Sequence, residues 1–242
     1  MQGHNLQLAS SLCTFLTINA SAVVLYVDVN SASPTPPYSN WATAATNIQD
    51  AVDTAVNGDE ILVTNGVYHS GAQFVTGVET VNRLAVTKAV TVQSINGPAA
   101  TVIEGYQVPG TTNGSSAVRC VYLTNGAALI GFTLTNGGTV TVGTFNKGGG
   151  ILFQPVQATT TSIVSNCVLT GNSADFGGGG AYGAGTLINC TLSNNWARLY
   201  GGGAYGSTLN FCRLIGNSTR GGGGWRPGRY AEQLPHRQQF GW

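Results

Sequence analysis

The sequence predicts an all-β fold, and three observations predict it: a shortage of charge, a surplus of glycine, and a block of residues that returns at a fixed interval. Of 242 residues only 8% are charged, 42% are hydrophobic and 35 are glycine. Solvated helix faces carry much of a soluble domain's charge, normally about a quarter of its residues, so this shortage argues against a helical protein. Asn, Thr, Ser and Val take the place of charge, as in chains of short strands and tight turns. The formal net charge of +1, with no basic cluster, leaves no electrostatic footprint for nucleic acid. No stretch reaches the roughly 18 to 20 apolar residues of a membrane helix, so no membrane span is expected.

The repeat decides the architecture. Asn166-Cys167-Val168-Leu169-Thr170-Gly171-Asn172-Ser173 returns as Asn189-Cys190-Thr191-Leu192-Ser193-Asn194-Asn195 and again as Phe211-Cys212-Arg213-Leu214-Ile215-Gly216-Asn217-Ser218. The cysteines are 23 and 22 residues apart, and Leu169, Leu192 and Leu214, the glycine runs 177–180, 201–203 and 221–224, and the pair Tyr182 and Tyr205 keep that beat. A weaker copy begins at Phe132-Thr133-Leu134-Thr135. Such a period means stacked units that cannot bury their apolar faces alone. Each unit is two short β-type runs joined by Gly and Asn turns, with too few leucines for a leucine-rich repeat. This is one coil of a single-stranded right-handed parallel β-helix, a solenoid, with its hand taken from the rule for parallel crossovers. Period-2 alternation puts each Cys on the inward face with the Leu two residues later. Cys167, Cys190 and Cys212 then form an internal ladder of free thiols; no His or carboxylate recurs in phase with them, so no metal or cofactor is expected. Asn172, Asn195 and Asn217 form an amide ladder at a turn, bonding one another and tolerating a left-handed backbone.

In chain order, residues 1–22 read as a signal-like or disordered leader, with Leu12 to Ile18 as the apolar patch and Ala20-Ser21-Ala22 as the small-x-small site. Residues 23–58 hold an N-terminal strand and a capping α-helix. In that helix Ile48, Ala51, Val52, Ala55 and Val56 share one face, Thr46 and Gln49 have capping-box spacing, and Asn57-Gly58 is the stop. A solenoid must cover its first coil, and this helix is placed to do so. Residues 59–220 form the β-helix, with early strands at Glu60 to Thr64, Leu84 to Val86, Val90 to Ser94, Thr101 to Ile103, Val118 to Leu123 and Ala128 to Leu134. Residues 221–242 fall out of phase, rich in Arg, Pro and Gln. One permitted back-translation from Tyr230, read one base later, yields another copy of the coil, so a frameshifted or fragmentary gene end is expected. An open last coil implies a monomer prone to aggregate at its C-terminal end.

Ile48-Gln49-Asp50-Ala51-Val52-Asp53, followed by Asn57-Gly58-Asp59-Glu60-Ile61-Leu62-Val63-Thr64-Asn65-Gly66-Val67-Tyr68, resembles the opening of right-handed β-helix proteins of the pectin-lyase-like superfamily. The stretch Gly171-Asn172-Ser173-Ala174-Asp175-Phe176, with its glycine run, is similar to repeats of bacterial surface β-helices, the polymorphic outer-membrane and autotransporter-like passengers. The resemblance spans about Val24 to Gly224. It implies the fold more specifically than the function, because that superfamily holds lyases, hydrolases, esterases, epimerases and adhesins.

Polysaccharide-cleaving β-helices set carboxylates on neighbouring coils, or a Ca²⁺ site beside a basic residue. Here Asp175 is the one acid between Gly105 and Gly224, and it reads as a turn residue, as does Asp59 in the first coil. His69, Glu79, Arg83, Lys88, Glu104 and Arg119 are loosely grouped, and Glu104, Arg119 and His69 are the catalytic candidates. Binding needs less: Tyr182, Trp196, Arg198, Tyr200 and Tyr205 form a strip suited to stacking on sugar rings. The expectation is a secreted or cell-surface β-helix that binds or displays at polysaccharide or another surface ligand. The alternative is a pectin-lyase-like polysaccharide lyase or glycoside hydrolase whose site is incomplete or lies in missing coils, and Ca²⁺ enters only if that enzyme reading holds.

Overall fold

A computed structural model describes residues 21–144, 146–154 and 161–221; the leader expected over 1–22 and the tail over 221–242 lie almost wholly outside them. The described chain is all-β, with short strands in four sheets and a single α-helix, Ile48–Thr54. The first sheet contains Val24–Val27, Glu60–Val63, Thr91–Ser94, Ala128–Ile130, Ile163–Ser165, Thr186–Ile188 and Thr208–Asn210, in that order. The second contains Gly66–Tyr68, Thr101–Glu104, Thr133–Thr135, Val168–Thr170, Thr191–Ser193 and Arg213–Ile215. The third contains Gln73–Val75, Val78–Val86, Val118–Leu123, Ile151–Phe153, Ala181–Tyr182 and Ala204–Tyr205. From Ser173 onward a small fourth sheet is added: Ser173–Ala174, Trp196–Ala197 and Ser218–Thr219. The chain visits the sheets in the same cyclic order each time, and each strand lies beside its counterpart from the previous circuit.

All the strand pairs are parallel except the hairpin Gln73–Val75 with Val78–Val86. Parallel pairing stacks like on like. Leu134, Leu169, Leu192 and Leu214 stand on adjacent strands in register, as do Leu129, Val164, Leu187 and Leu209. These columns fill one continuous core with Ile61, Val92, Ile103, Val121 and Ile151. The expected run Ala128 to Leu134 is two strands in different sheets, broken at Gly131, where φ is 80°. Leu129 and Leu134 are therefore both buried despite their odd spacing.

The helix lies over the start of the core, burying Ile48, Gln49, Ala51 and Val52. Its N-cap is Asn47, whose side chain accepts from the Gln49 amide at 2.9 Å, and not the expected Thr46 box. Gln49 instead acts as a strand partner: its Oε1 accepts from the Ala85 amide at 2.8 Å and its Nε2 donates to the Ala85 carbonyl at 3.1 Å. This satisfies backbone groups of the third sheet that would otherwise be buried without partners. The helix ends at Thr54, two residues before the expected end. Lys88 Nζ donates to the carbonyls of Val52, Asp53 and Ala55 there, and Val56 is exposed. Asp59 is a buried turn residue that accepts from the amides of Val23 and Val56 at 2.9 and 2.8 Å.

The asparagines split into two columns. Asn172 and Asn195 are buried, and the Asn195 Oδ1 accepts from both the amide and the Nδ2 of Asn172 at 3.0 Å. Asn217 Oδ1 serves Asn195 in the same way at 3.0 and 2.9 Å, and each Nδ2 reaches a carbonyl of the preceding circuit. The left-handed backbone expected at these residues belongs to their predecessors Gly171, Asn194 and Gly216, with Asn136 before Gly137 one circuit earlier, and to a second column, Gly131, Asn166, Asn189 and Phe211. The ladder residues supply amide bonds, while the residues before them supply the bend.

Candidate outer-face aromatic site

The inner residues of the third sheet close the core, and its outer residues build the site. Alternation sends Ala181 into the core and Tyr182 outward, so the register column Ala85, Tyr122, Leu152, Tyr182 and Tyr205 runs along the outside. Its first three members are buried in a small apolar cluster with Val78, apart from the main core. Tyr182 is half-buried and Tyr205 is 43% exposed, so the column opens to solvent toward the last circuit.

Two further rings join it. Tyr182 and Tyr205 stack with centroids 5.4 Å apart and planes 17° from parallel. Phe176 meets Tyr182 edge-on at 6.4 Å and Tyr200 at 5.4 Å, and Tyr200 lies 5.6 Å from Tyr205. Lys147 Nζ sits 5.1 Å from the centroids of both Phe176 and Tyr182. Tyr200, like Tyr205, is 43% exposed. The result is a four-ring platform with an ammonium at one side.

Arg119 holds the segment that carries Lys147. It is fully buried, donating from Nε to the Gly148 carbonyl at 2.7 Å, from one terminal nitrogen to Asn82 Oδ1 at 2.6 Å, and from the other to the Lys147 carbonyl at 2.8 Å. Burial pushes its guanidinium down to about 9, opposed by Tyr122, Cys120 and Glu79, so it stays charged at neutral pH. Burial also raises the Tyr122 hydroxyl.

Two of the catalytic candidates, His69 and Glu104, share one end of the second sheet, and Arg119 serves a different set of partners. Glu104 ends a strand of the second sheet, where its Oε1 accepts from Asn136 at 3.2 Å and its carbonyl from Arg83 at 2.8 Å. His69 is exposed, one residue beyond Tyr68, which pairs with Ile103. Both therefore sit at the end of the second sheet, whereas Arg119 is committed to the 147–148 carbonyls and Asn82. Arg83 also donates to the Gly71 carbonyl, and burial lowers its guanidinium. Among the described residues no group of three or more His, Cys, Asp and Glu is placed to hold a metal ion.

Of the expected binding strip, Tyr182, Tyr200 and Tyr205 come together. Trp196 belongs to the fourth sheet, between Ser173 and Ser218. Arg198 is paired with Asp175, Nε to Oδ1 at 3.1 Å, and Asp175 also accepts from Asn146 at 3.3 Å. Asp175 is thus a buried bridge between circuits and not only a turn residue. Phe176 and Lys147 escaped the sequence reading. Their signal is their place at the mouth of a glycine run, as with Tyr200, which precedes Gly201.

The cysteine column lies on the opposite, inner side. Cys167 and Cys190 are buried, Cys212 is half-buried, and all are free thiols, with Phe132 in the same position one circuit earlier. Contact with the Cys167 sulfur pushes the Cys190 thiol up to about 12, and contact with Cys190 followed by burial raises Cys212. Compared with protein-family descriptions, curated proteins and solved structures, the chain matches none of them.

Proposed function

We propose that the chain is a right-handed parallel β-helix of the pectin-lyase-like kind, secreted or carried at a cell surface, that binds polysaccharide through its outer aromatic platform. The cyclic order of parallel sheets supports the fold. The clustering of Phe176, Tyr182, Tyr200 and Tyr205 around Lys147, with two rings open to solvent, carries the binding reading. An apolar ring face stacks on the C–H face of a pyranose, and a sheet-mounted ring loses little entropy on binding because its backbone is already ordered. Helices among the described residues are too short and polar to cross a membrane. For the enzyme alternative, His69 and Glu104 share one end of the second sheet, whereas the Arg119 guanidinium is spent on the Lys147 and Gly148 carbonyls and Asn82, so the three candidates make at most an incomplete site.

The test is affinity electrophoresis through gels containing neutral or acidic polysaccharides. Replacing Tyr200 and Tyr205 by Ala removes two contacts worth about 0.5–1.5 kcal/mol each, so the affinity read from retardation should fall about 5- to 150-fold. Trp41→Ala, at an exposed ring that meets Tyr26 edge-on elsewhere, should leave it unchanged. Equal retardation of the double variant and the parent overturns the proposal.

A further inference from the structure

The cysteine column has a regularity that core packing alone does not require. Cys167, Cys190 and Cys212 each precede one of the in-register residues Val168, Thr191 and Arg213. Each sulfur donates to the carbonyl two residues back, at 3.3, 3.3 and 3.4 Å, and faces a carbonyl of the preceding circuit at 3.8, 3.6 and 3.5 Å. The same contacts repeated on each circuit mean one rotamer repeated. Neighbouring sulfurs are then separated by the strand spacing, about 4.8 Å. A metal held linearly between two thiolates, with bonds of about 2.3 Å, spans about 4.6 Å. The column therefore sets its sulfurs at about the spacing a linear bis-thiolate ion spans, provided each S–H gives up the carbonyl it now donates to.

We propose that Cys190 and Cys212 bind a soft, two-coordinate monovalent cation of the copper(I) or silver(I) class between their sulfurs. The absence of in-phase His or carboxylate argues against ions that need four ligands, but not against one that needs two. Sulfur-only donors select soft d¹⁰ ions. Binding breaks two S–H bonds and forms two metal–sulfur bonds; both protons pass to buffer, and neither sulfur nor metal changes oxidation state. The bound unit carries one negative charge. Cys212 is half-buried where Cys190 and Cys167 are closed off, so the ion enters from the Cys212 side. Cys120 is a built-in control: it is a buried free thiol that contacts Thr135 and Asn172, outside this column.

The full chain carrying Cys13→Ser, so that the fifth cysteine does not compete, is titrated with silver(I) in chloride-free buffer without oxygen, then desalted and examined by native mass spectrometry and thermal melting. One retained silver ion per chain and a raised melting temperature are expected. Cys190→Val and Cys212→Val should each reduce retention at least tenfold, and Cys120→Val should not change it. If a valine variant fails to fold, alkylating Cys212 in the folded parent blocks the same site. No retained silver, retention after Cys212 is blocked, or loss in Cys120→Val each overturns the proposal.

Discussion

Gly179 is one of the positions where a single methyl group should strike backbone on two sides. It lies within the 177–180 run, against the next circuit's strand at Trp196 and its glycine run at Gly202. A Cβ built there overlaps the Trp196 carbonyl and stands 2.6 Å from the Gly202 carbonyl oxygen, about 0.8 Å inside the 3.4 Å at which ordinary contact begins. Both obstacles are backbone, so no side chain can swing away. The strands would have to part where Gly179 donates to Gly201 at 3.3 Å and Gly180 donates to Gly202 at 3.1 Å. Overpacking of this kind costs about 1–3 kcal/mol, and losing one of these hydrogen bonds adds about 1 kcal/mol. Gly179→Ala should thus cost roughly 3 kcal/mol, or about 6–12 °C in melting temperature for a chain of this size. Gly58→Ala is the control. Gly58 has φ of 96° but nothing within 4 Å of its Cβ, so it carries backbone strain alone, about 1 kcal/mol. Melting both variants by circular dichroism checks the argument. If Gly179→Ala melts within 2 °C of the parent, or loses less than Gly58→Ala, close backbone approach is not what requires glycine there.

Two further outcomes follow from the same geometry. Phe211 holds φ of 55° and is 78% exposed where the equivalent residues are Asn166 and Asn189, whose side chains bond each other at 2.7 Å. Phe211→Asn should stabilise by about 1 kcal/mol, raising the melting temperature by about 2–4 °C; a fall would refute the strain. Burial holds the Cys120 thiol at about 12 against 9.0 in an ordinary environment. The unfolded chain therefore loses that proton first, so stability is unaffected below pH 9 and falls as pH rises from 9 toward 12. Cys120→Ala should flatten the dependence of the urea midpoint on pH in that window, and an unchanged slope counts against the burial.

What was legible in the sequence is what repeats within one unit. Cys167, Leu169 and Asn172 recur at 23 and 22 residues, and because parallel neighbours stand in register, identical residues at identical spacing must stack. The inward Leu columns, the cysteine ladder and the amide ladder are therefore all visible in the chain, as is the apolar face of the helix. Only the tertiary structure decided what joins circuits of unequal length. Lys147 reaches the rings of Phe176 and Tyr182 because Arg119 fixes the carbonyls of Lys147 and Gly148, a bond across 28 and 29 residues that no periodicity announces. Trp196 stands on a fourth sheet that begins only at Ser173, not in the column of Tyr182 and Tyr205, and Gln49 became a strand partner of Ala85 instead of a helix cap. A repeat determines which residues share a column. The lengths of the loops between sheets determine which columns meet, and those depend on how the whole chain closes around its core.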